Sequence, residues 1–279
     1  MPESAVPLDL TPCRGAVAAA FFCPAFSAAL KTFLAGEIPP EAETLLDRRN
    51  RLVALTLPDA AGRNVPAVVK EFRLRGLKKI LSFGRASKAE KAWRGALALA
   101  DRGFLTPAPI AFLDHRRRGF VERSVFVAAR LAEGREIRCL FRDSAEPEIK
   151  AILARLAPVL RSLHDAGLVH RDLSDGNLLV REDGNGEAFF FFLDTNRVRR
   201  RRRVGTVGRA RALVRLGVPR GLRPFFLERY AAAPASPGAS ALGRSFAFWY
   251  RAGNWAFSTW VAAKKALRLR KIARALRLQ

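Results

Sequence analysis

Negative charge is scarce in this chain: 25 Asp and Glu stand against 50 Lys and Arg among 279 residues, which leaves a formal charge of +25. That excess is far beyond what solubility requires and implies a polyanion nearby. Phosphate-bearing nucleotide, nucleic acid and an anionic membrane surface all qualify, and charge alone does not choose among them. Cysteine is scarce too. Cys13, Cys23 and Cys139 are odd in number and without paired spacing, which excludes a disulfide framework and a cysteine zinc site and points to a reducing compartment. No uninterrupted apolar run reaches the roughly 18 residues that a spanning helix needs. The first residues carry Glu3 and Asp9, and Pro24 interrupts the apolar stretch 15–30, a poor pattern for a signal peptide. A soluble or peripheral protein is expected, with no internal repeat.

What is present is enough for a core. Apolar residues make up 49% of the chain, which suits one large domain or two coupled lobes. Residues 1–45 read as an apolar but irregular leader, closed by the breaker Gly36-Glu37-Ile38-Pro39-Pro40. Residues 51–57 and 66–72 read as strands around the turn formers Pro58, Asp59 and Gly62, and residues 87–102 as a helix ending at Gly103. Two more strands are expected near 109–113 and 124–131. Residues 46–133 therefore form a small strand-rich lobe. From 134 to 279 the pattern turns helical: Ile149, Ile152, Leu153, Leu156, Leu160 and Leu163 repeat at core-helix spacing. Pro158 lies inside that stripe and is expected to kink or split the helix, because it removes the bond to the carbonyl of Ala154. Two short strands flank the polar turn 183–186, and the remainder reads as helices broken by Pro219, Pro234 and Pro237. The fold class is α+β, with a small strand-rich lobe and a larger helical one.

The chemistry concentrates in His170-Arg171-Asp172-Leu173-Ser174-Asp175-Gly176-Asn177, which fits the H-R-D-L-x-x-x-N catalytic loop of protein kinases at every fixed position. Phosphoryl transfer needs little covalent help and much positioning and charge neutralisation. In that scheme Asp172 accepts the proton of the attacking hydroxyl. Asn177 and Asp194, the latter ending the run 189–193, hold magnesium through hard oxygen donors. His170 and Arg171 brace the loop. Lys70 ends the apolar strand Val68-Val69-Lys70, as the phosphate-binding lysine does in the V-A-I-K strand. A helical Glu should orient it, and Glu90 is the candidate by position, although Ala92 and Trp93 could equally take the inward face. No G-x-G-x-x-G precedes Lys70, so the loop at 58–62, or one further upstream, is expected to cover the nucleotide. Asp194-Thr195-Asn196 stands where Asp-Phe-Gly is usual and no Ala-Pro-Glu follows, which argues against a protein-kinase activation loop.

Lys70, Gly103-Phe104-Leu105-Thr106-Pro107, Leu163-His164-Asp165-Ala166-Gly167 and Asp194-Thr195-Asn196-Arg197 together resemble the bacterial lipopolysaccharide kinase family, the Kdo and heptose kinases of the lipid A core. The resemblance covers roughly residues 48–205. It implies a bilobal protein-kinase-like fold, ATP and Mg2+ as cofactors, and a sugar hydroxyl on a membrane-held anionic glycolipid as acceptor. It further implies a cytoplasmic enzyme peripheral to the inner membrane. Asp172, Asn177, Asp194 and Lys70 carry over position by position. Ser174 replaces the lysine common two residues after the base in Ser/Thr protein kinases, which weakens a protein-substrate reading.

The basic residues Arg197, Arg199, Arg200 and Arg201, directly after Asp194, are candidates for binding the anionic acceptor; a solvated face or a nucleic-acid patch is the competing reading. Near the C-terminus Trp249, Tyr250, Trp255 and Trp260 precede Lys264, Lys265, Arg268, Arg270, Lys271, Arg274 and Arg277. This pattern fits a loosely amphipathic basic helix of the interfacial type, or a helix docked on the larger lobe. Two other functions compete: a protein Ser/Thr kinase, and a kinase-fold binding module. The latter kind commonly lacks the base or a metal ligand, and neither is missing here. No specific nucleic-acid partner is expected.

Overall fold

The computed structural model describes residues 5–48, 50–74, 76–233, 242 and 245–276, with the backbone alone for 77, 78, 265 and 267–276. Pro234 and Pro237 lie outside the described residues, as do Arg277 and the side chains of Lys265, Arg268, Arg270, Lys271 and Arg274. The chain divides into two compact units, Met1–Arg135 with Asn177–Arg200, and Glu136–Gly176 with Arg201–Gln279. The segment 177–200, expected in the larger lobe, thus belongs with the first unit.

The first unit is built on a seven-stranded antiparallel sheet. Its elements run β1 (Ala5–Leu10), β2 (Cys13–Ala18), α1 (Pro24–Ala35), β3 (Glu43–Asp47), β4 (Asn50–Pro58), β5 (Asn64–Phe72), α2 (Leu77–Ile80), α3 (Lys88–Ala100), β6 (Pro109–Arg117) and β7 (Phe120–Ala129). The strand order is β1-β2-β6-β7-β5-β4-β3. Residues 5–35 are therefore no irregular leader. They add a hairpin to the edge of β6 and lay α1 on one face, where Phe26, Leu30 and Phe33 bury against Val53, Leu55, Val69, Leu113 and Val127. Two features hid this in the sequence. Pro24, which looks like an interruption, is the first residue of α1, where its missing N–H costs nothing, and Cys23 caps the helix by accepting from the amide of Phe26 at 3.4 Å. Gly15, in the middle of β2, is required because a Cβ there would stand 1.8 Å from the carbonyl oxygen of Phe112.

Side chains alternate between the two faces of a strand. Ala67 and Val69 join the α1 core, so Lys70 points to the opposite face, the one that carries α3. There Trp93 packs against Phe112 of β6 with ring centroids 5.9 Å apart, and Ser124 of β7 accepts from the amide of Ala89.

The chain continues through β8 (Arg135–Glu136), α4 (Ile137–Asp143), α5 (Glu146–Asp165) and β9 (Leu168–His170). It returns to the first unit with β10 (Leu178–Glu182), β11 (Ala188–Phe192) and β12 (Val198–Arg200), and ends in the second with α6 (Thr206–Leu213), α7 (Arg223–Ala232) and α8 (Phe246–Leu276). Pro158 does not split α5, which is one helix of 20 residues. Leu156, Ala157 and Leu160 are fully buried on either side of it, and burying that apolar stripe outweighs the lost bond. Within the second unit α5 packs on α7, and α6 on α8. At the end of α5 a buried network joins them: Asp165 accepts from Arg161 at 3.0 Å and from Arg209 at 2.5 Å, and His164 Nδ1 lies 2.7 Å from the hydroxyl of Tyr230.

Candidate active site

In the first unit Lys70 meets Asp194. The ammonium lies 2.6 Å from Asp194 Oδ1, and each side chain keeps only about a fifth to a quarter of its exposure (21% and 24%). Asp194 adopts the left-handed conformation, φ 50° and ψ 47°, at the point where the Phe-rich strand turns into the short 3-10 segment Thr195–Arg197. Three contacts fix that corner. Thr195 donates its hydroxyl to the carbonyl of Ala92 on α3 at 2.8 Å, Asn196 donates its amide to Asp194 Oδ1 at 2.8 Å, and Gly95 leaves room for the Thr195 carbonyl, which a Cβ would meet at 2.1 Å. The strand leading to Asp194 is tied to the Gly103–Pro107 segment singled out in the sequence: Phe192 N–H donates to Leu105 O at 2.9 Å, and Thr106 donates to Phe192 O at 2.8 Å.

Asn177 lies at the same end of the β10–β11 hairpin. Leu178 pairs with Phe192, and one step further Leu193 N–H donates to the carbonyl of Asn177 at 2.9 Å. The hairpin thus sets Asn177 beside the Leu193-Asp194 corner. One amide oxygen and one carboxylate are hard donors of the kind magnesium accepts alongside phosphate and water. Among the described residues no three His, Cys, Asp or Glu side chains gather as a metal cage.

Glu90 is not brought to Lys70. It sits in the first turn of α3, capped by Ser87, and its carboxylate pairs with Arg94 one turn on at 2.5 Å. The carboxylate partner of Lys70 is Asp194. The loop at 58–62 is also misplaced as a nucleotide cover: Lys70 pairs with Leu52 and the hairpin ends at Pro58 opposite Asn64, six residue pairs or about 20 Å away along the strands. Asp59 instead binds that loop to itself, accepting from the amides of Ala61 and Arg63. The turn on the Lys70 side is the one joining β3 to β4, where Arg48 N–H donates to Asn50 O.

The basic run separates. Arg199 and Arg200 line a cavity of about 690 Å³ together with Lys91, Arg94, Gly95 and Asp101. Arg200 pairs with Asp101 at 2.7 Å, and Arg199 donates to the carbonyls of Asn196 and Val198. Burial and the neighbouring Arg199 push the Lys91 ammonium below the usual lysine pKa. Arg197 and Arg201 are exposed and do not line the cavity.

In the second unit Asp172 is held by its own loop and by an arginine outside the motif. Its amide donates to Nδ1 of the buried His170 at 3.3 Å, which is the bracing role expected of that histidine, and Leu173 behind it is fully buried. Oδ1 accepts from Arg215 Nη1 at 2.5 Å. Asp175 accepts from Arg138 at 3.1 Å, and a Cβ on Gly176 would collide with that guanidinium at 2.5 Å. Arg215, Arg138 and Lys91 were not singled out from the sequence, and among 50 cations nothing marks them. The C-terminal helix docks one face on the second unit and leaves aromatic residues outside. Phe246, Tyr250 and Asn254 are buried, whereas Trp249, Trp255 and Trp260 are exposed, with Lys264 lying 4.8 Å above the Trp260 ring.

One protein family matches the chain. The model of the lipopolysaccharide kinase (Kdo/WaaP) family matches residues 79–218, half of the chain. The solved structure of WaaP in complex with acyl carrier protein superposes with a TM-score of 0.53 at 19% identity, over 80% of this chain and 95% of that one. A 45-residue stretch is 42% identical to the EKC/KEOPS complex subunit BUD32 of Coccidioides immitis, covering 16% of each chain. An 81-residue stretch is 37% identical to the serine/threonine-protein kinase PknL of Mycobacterium tuberculosis, covering 28% of this chain and 20% of that protein. The chain thus spans only a sixth to a fifth of the length of these curated relatives.

Proposed function

The chain belongs to the lipopolysaccharide kinase (Kdo/WaaP) family, and from that premise we propose that it transfers the γ-phosphate of ATP to a sugar hydroxyl of a membrane-held glycolipid, the lipopolysaccharide inner core. The observation that carries the reading is the pair of Lys70 with Asp194 at 2.6 Å, in a chain whose catalytic-loop motif keeps both Asp172 and Asn177. A lysine on an inner strand and a carboxylate 124 residues later come together, which sets side by side two of the parts a kinase site uses, a cation for phosphate and a carboxylate for the metal.

Asp172 accepts the proton of the sugar hydroxyl as that oxygen bonds to the γ-phosphorus and the bond to ADP breaks. Lys70 neutralises phosphate charge. Asn177 and Asp194 would hold magnesium, which supplies charge neutralisation to the phosphate oxygens when bound. Arg197, Arg199, Arg200 and Arg201 offer cations for phosphate or carboxylate groups of the acceptor. Among the described residues no helix is long and apolar enough to cross a membrane, and the aromatic, basic α8 supports a peripheral approach to an anionic lipid surface.

The test is incubation with labelled ATP, magnesium and a rough lipopolysaccharide extract, followed by separation of glycolipid from protein. Label in the glycolipid, lost in Asp172→Asn, is the expected result. Label confined to protein would replace this reading with a protein kinase, and a folded protein that transfers no label would replace it with a binding module.

A further inference from the structure

A contact at the catalytic loop that the kinase motif does not include joins Arg215 to Asp172. Their side chains come from positions 43 residues apart, and the guanidinium Nη1 lies 2.5 Å from Oδ1. The two side chains keep 41% and 32% of their exposure, and an ion pair that open to solvent adds little to stability. Its geometry is nevertheless closely controlled. Arg215 belongs to the 3-10 turn Val214–Leu216, whose flanking residues Val214 and Leu216 are buried. The next residue, Gly217, has φ +74°, and a Cβ on it would lie 3.4 Å from Asp175 Oδ2, so the turn lies beside the catalytic loop. On its other side the guanidinium sits over the ring of Phe257 of α8, 5.6 Å from the centroid. A flexible side chain held at both ends spends little entropy on staying in place.

We propose that Arg215 is a positioning residue for phosphoryl transfer. It holds Asp172 as an oriented anion, supplying from outside the motif a cation at the loop where Ser174 takes the place of lysine, and Phe257 braces it. The inference rests on the kinase reading of Asp172. The physical reason is that the transition state of phosphoryl transfer asks more of placement than of proton affinity. A base already gripped by a guanidinium gains a fixed direction. The opposite possibility, a lock that must open before the base can work, makes the opposite prediction.

The experiment measures transfer from Mg-ATP to a rough lipopolysaccharide extract by wild type, Asp172→Asn, Arg215→Ala, Arg215→Lys and Phe257→Leu. Arg215→Ala is expected to lower kcat roughly a hundredfold, with the KM for ATP and the melting temperature little changed. Arg215→Lys should retain more activity than the alanine variant, and millimolar guanidinium should restore part of the rate to Arg215→Ala but not to Asp172→Asn. Phe257→Leu should cost about twofold to fivefold. Arg215→Ala as fast as wild type, or faster, overturns the proposal, the second outcome in favour of a lock. A loss that guanidinium does not rescue and that comes with a lower melting temperature overturns it in favour of a structural pair. An Asp172→Asn enzyme with full activity overturns the kinase reading itself, a result distinct from an Asp172-dependent enzyme indifferent to Arg215.

Discussion

A Cβ on Gly95 would stand 2.1 Å from the Thr195 carbonyl oxygen, so Gly95→Ala must push α3 away from the corner that presents Asp194. Overpacking at such a backbone contact costs about 1–3 kcal/mol, and denaturant melts should show it, together with slower transfer because Asp194 moves. Asp194→Asn keeps the shape but removes the charge that meets Lys70, and is expected to lower the rate about a hundredfold to a thousandfold with an unchanged circular dichroism spectrum. An active Asp194→Asn enzyme would mean that the metal ligand lies elsewhere. Lys70→Arg should not rescue Lys70→Ala, since a planar fork on this strand cannot take the place of a compact ammonium. Steady-state kinetics with varied ATP decides this, and equal turnover in wild type and Lys70→Ala would show that the wrong lysine has been chosen.

At the scale of elements, α5 and α7 are joined through a histidine that burial keeps neutral. Desolvation and the Arg209 charge lower the His164 pKa to about 3 from 6.5, and burial raises Tyr230 to about 12, so the two rings share a hydrogen bond as neutral groups. The unfolded chain takes up the His164 proton first as pH falls. Stability is therefore complete above about pH 6.5 and is lost toward pH 3, by up to ~1.4 kcal/mol per pH unit. The melting temperature should fall across that window, and His164→Gln, already weaker at pH 7.5, should show a flatter fall. A wild-type melt independent of pH from 7 to 4.5 would contradict it. The first unit has its own hidden element: α1 begins at a proline that sequence reading takes as a break, and its core contacts lie on strands 20 to 100 residues away.

For the whole molecule, the +25 charge and the exposed tryptophans of α8 predict attraction to an anionic surface. Each nearby cation contributes about 1 kcal/mol, screened beyond roughly 10 Å at 0.1 M salt. Sedimentation with anionic vesicles should fall steeply as salt rises, and truncation before Trp260 should reduce it further. Transfer to a lipid-free sugar should suffer much less from that truncation. Full-length protein that does not sediment with anionic vesicles at low salt would remove the membrane from the proposed function.

By itself the sequence determined which candidate residues stand together locally in the chain. Asp172 and Asn177 are recognisable because a loop around a transferred phosphate needs fixed spacing over eight residues. Asn177 and Asp194 come together because they end two strands of a single hairpin. Lys70 was legible from its strand and its distance from the loop. The tertiary structure alone decided which partners those groups meet. Asp194 rather than Glu90 took the lysine, because sheet alternation points Lys70 at the α3 face, while one helical turn gives Glu90 a nearer cation in Arg94. Likewise Arg215, one of 50 basic residues, reached Asp172 from a 3-10 turn that the burial of Val214 and Leu216 anchors beside the loop. Spacing along a chain encodes contacts within an element; contacts between elements depend on packed volumes and strand register, to which residues far apart contribute jointly.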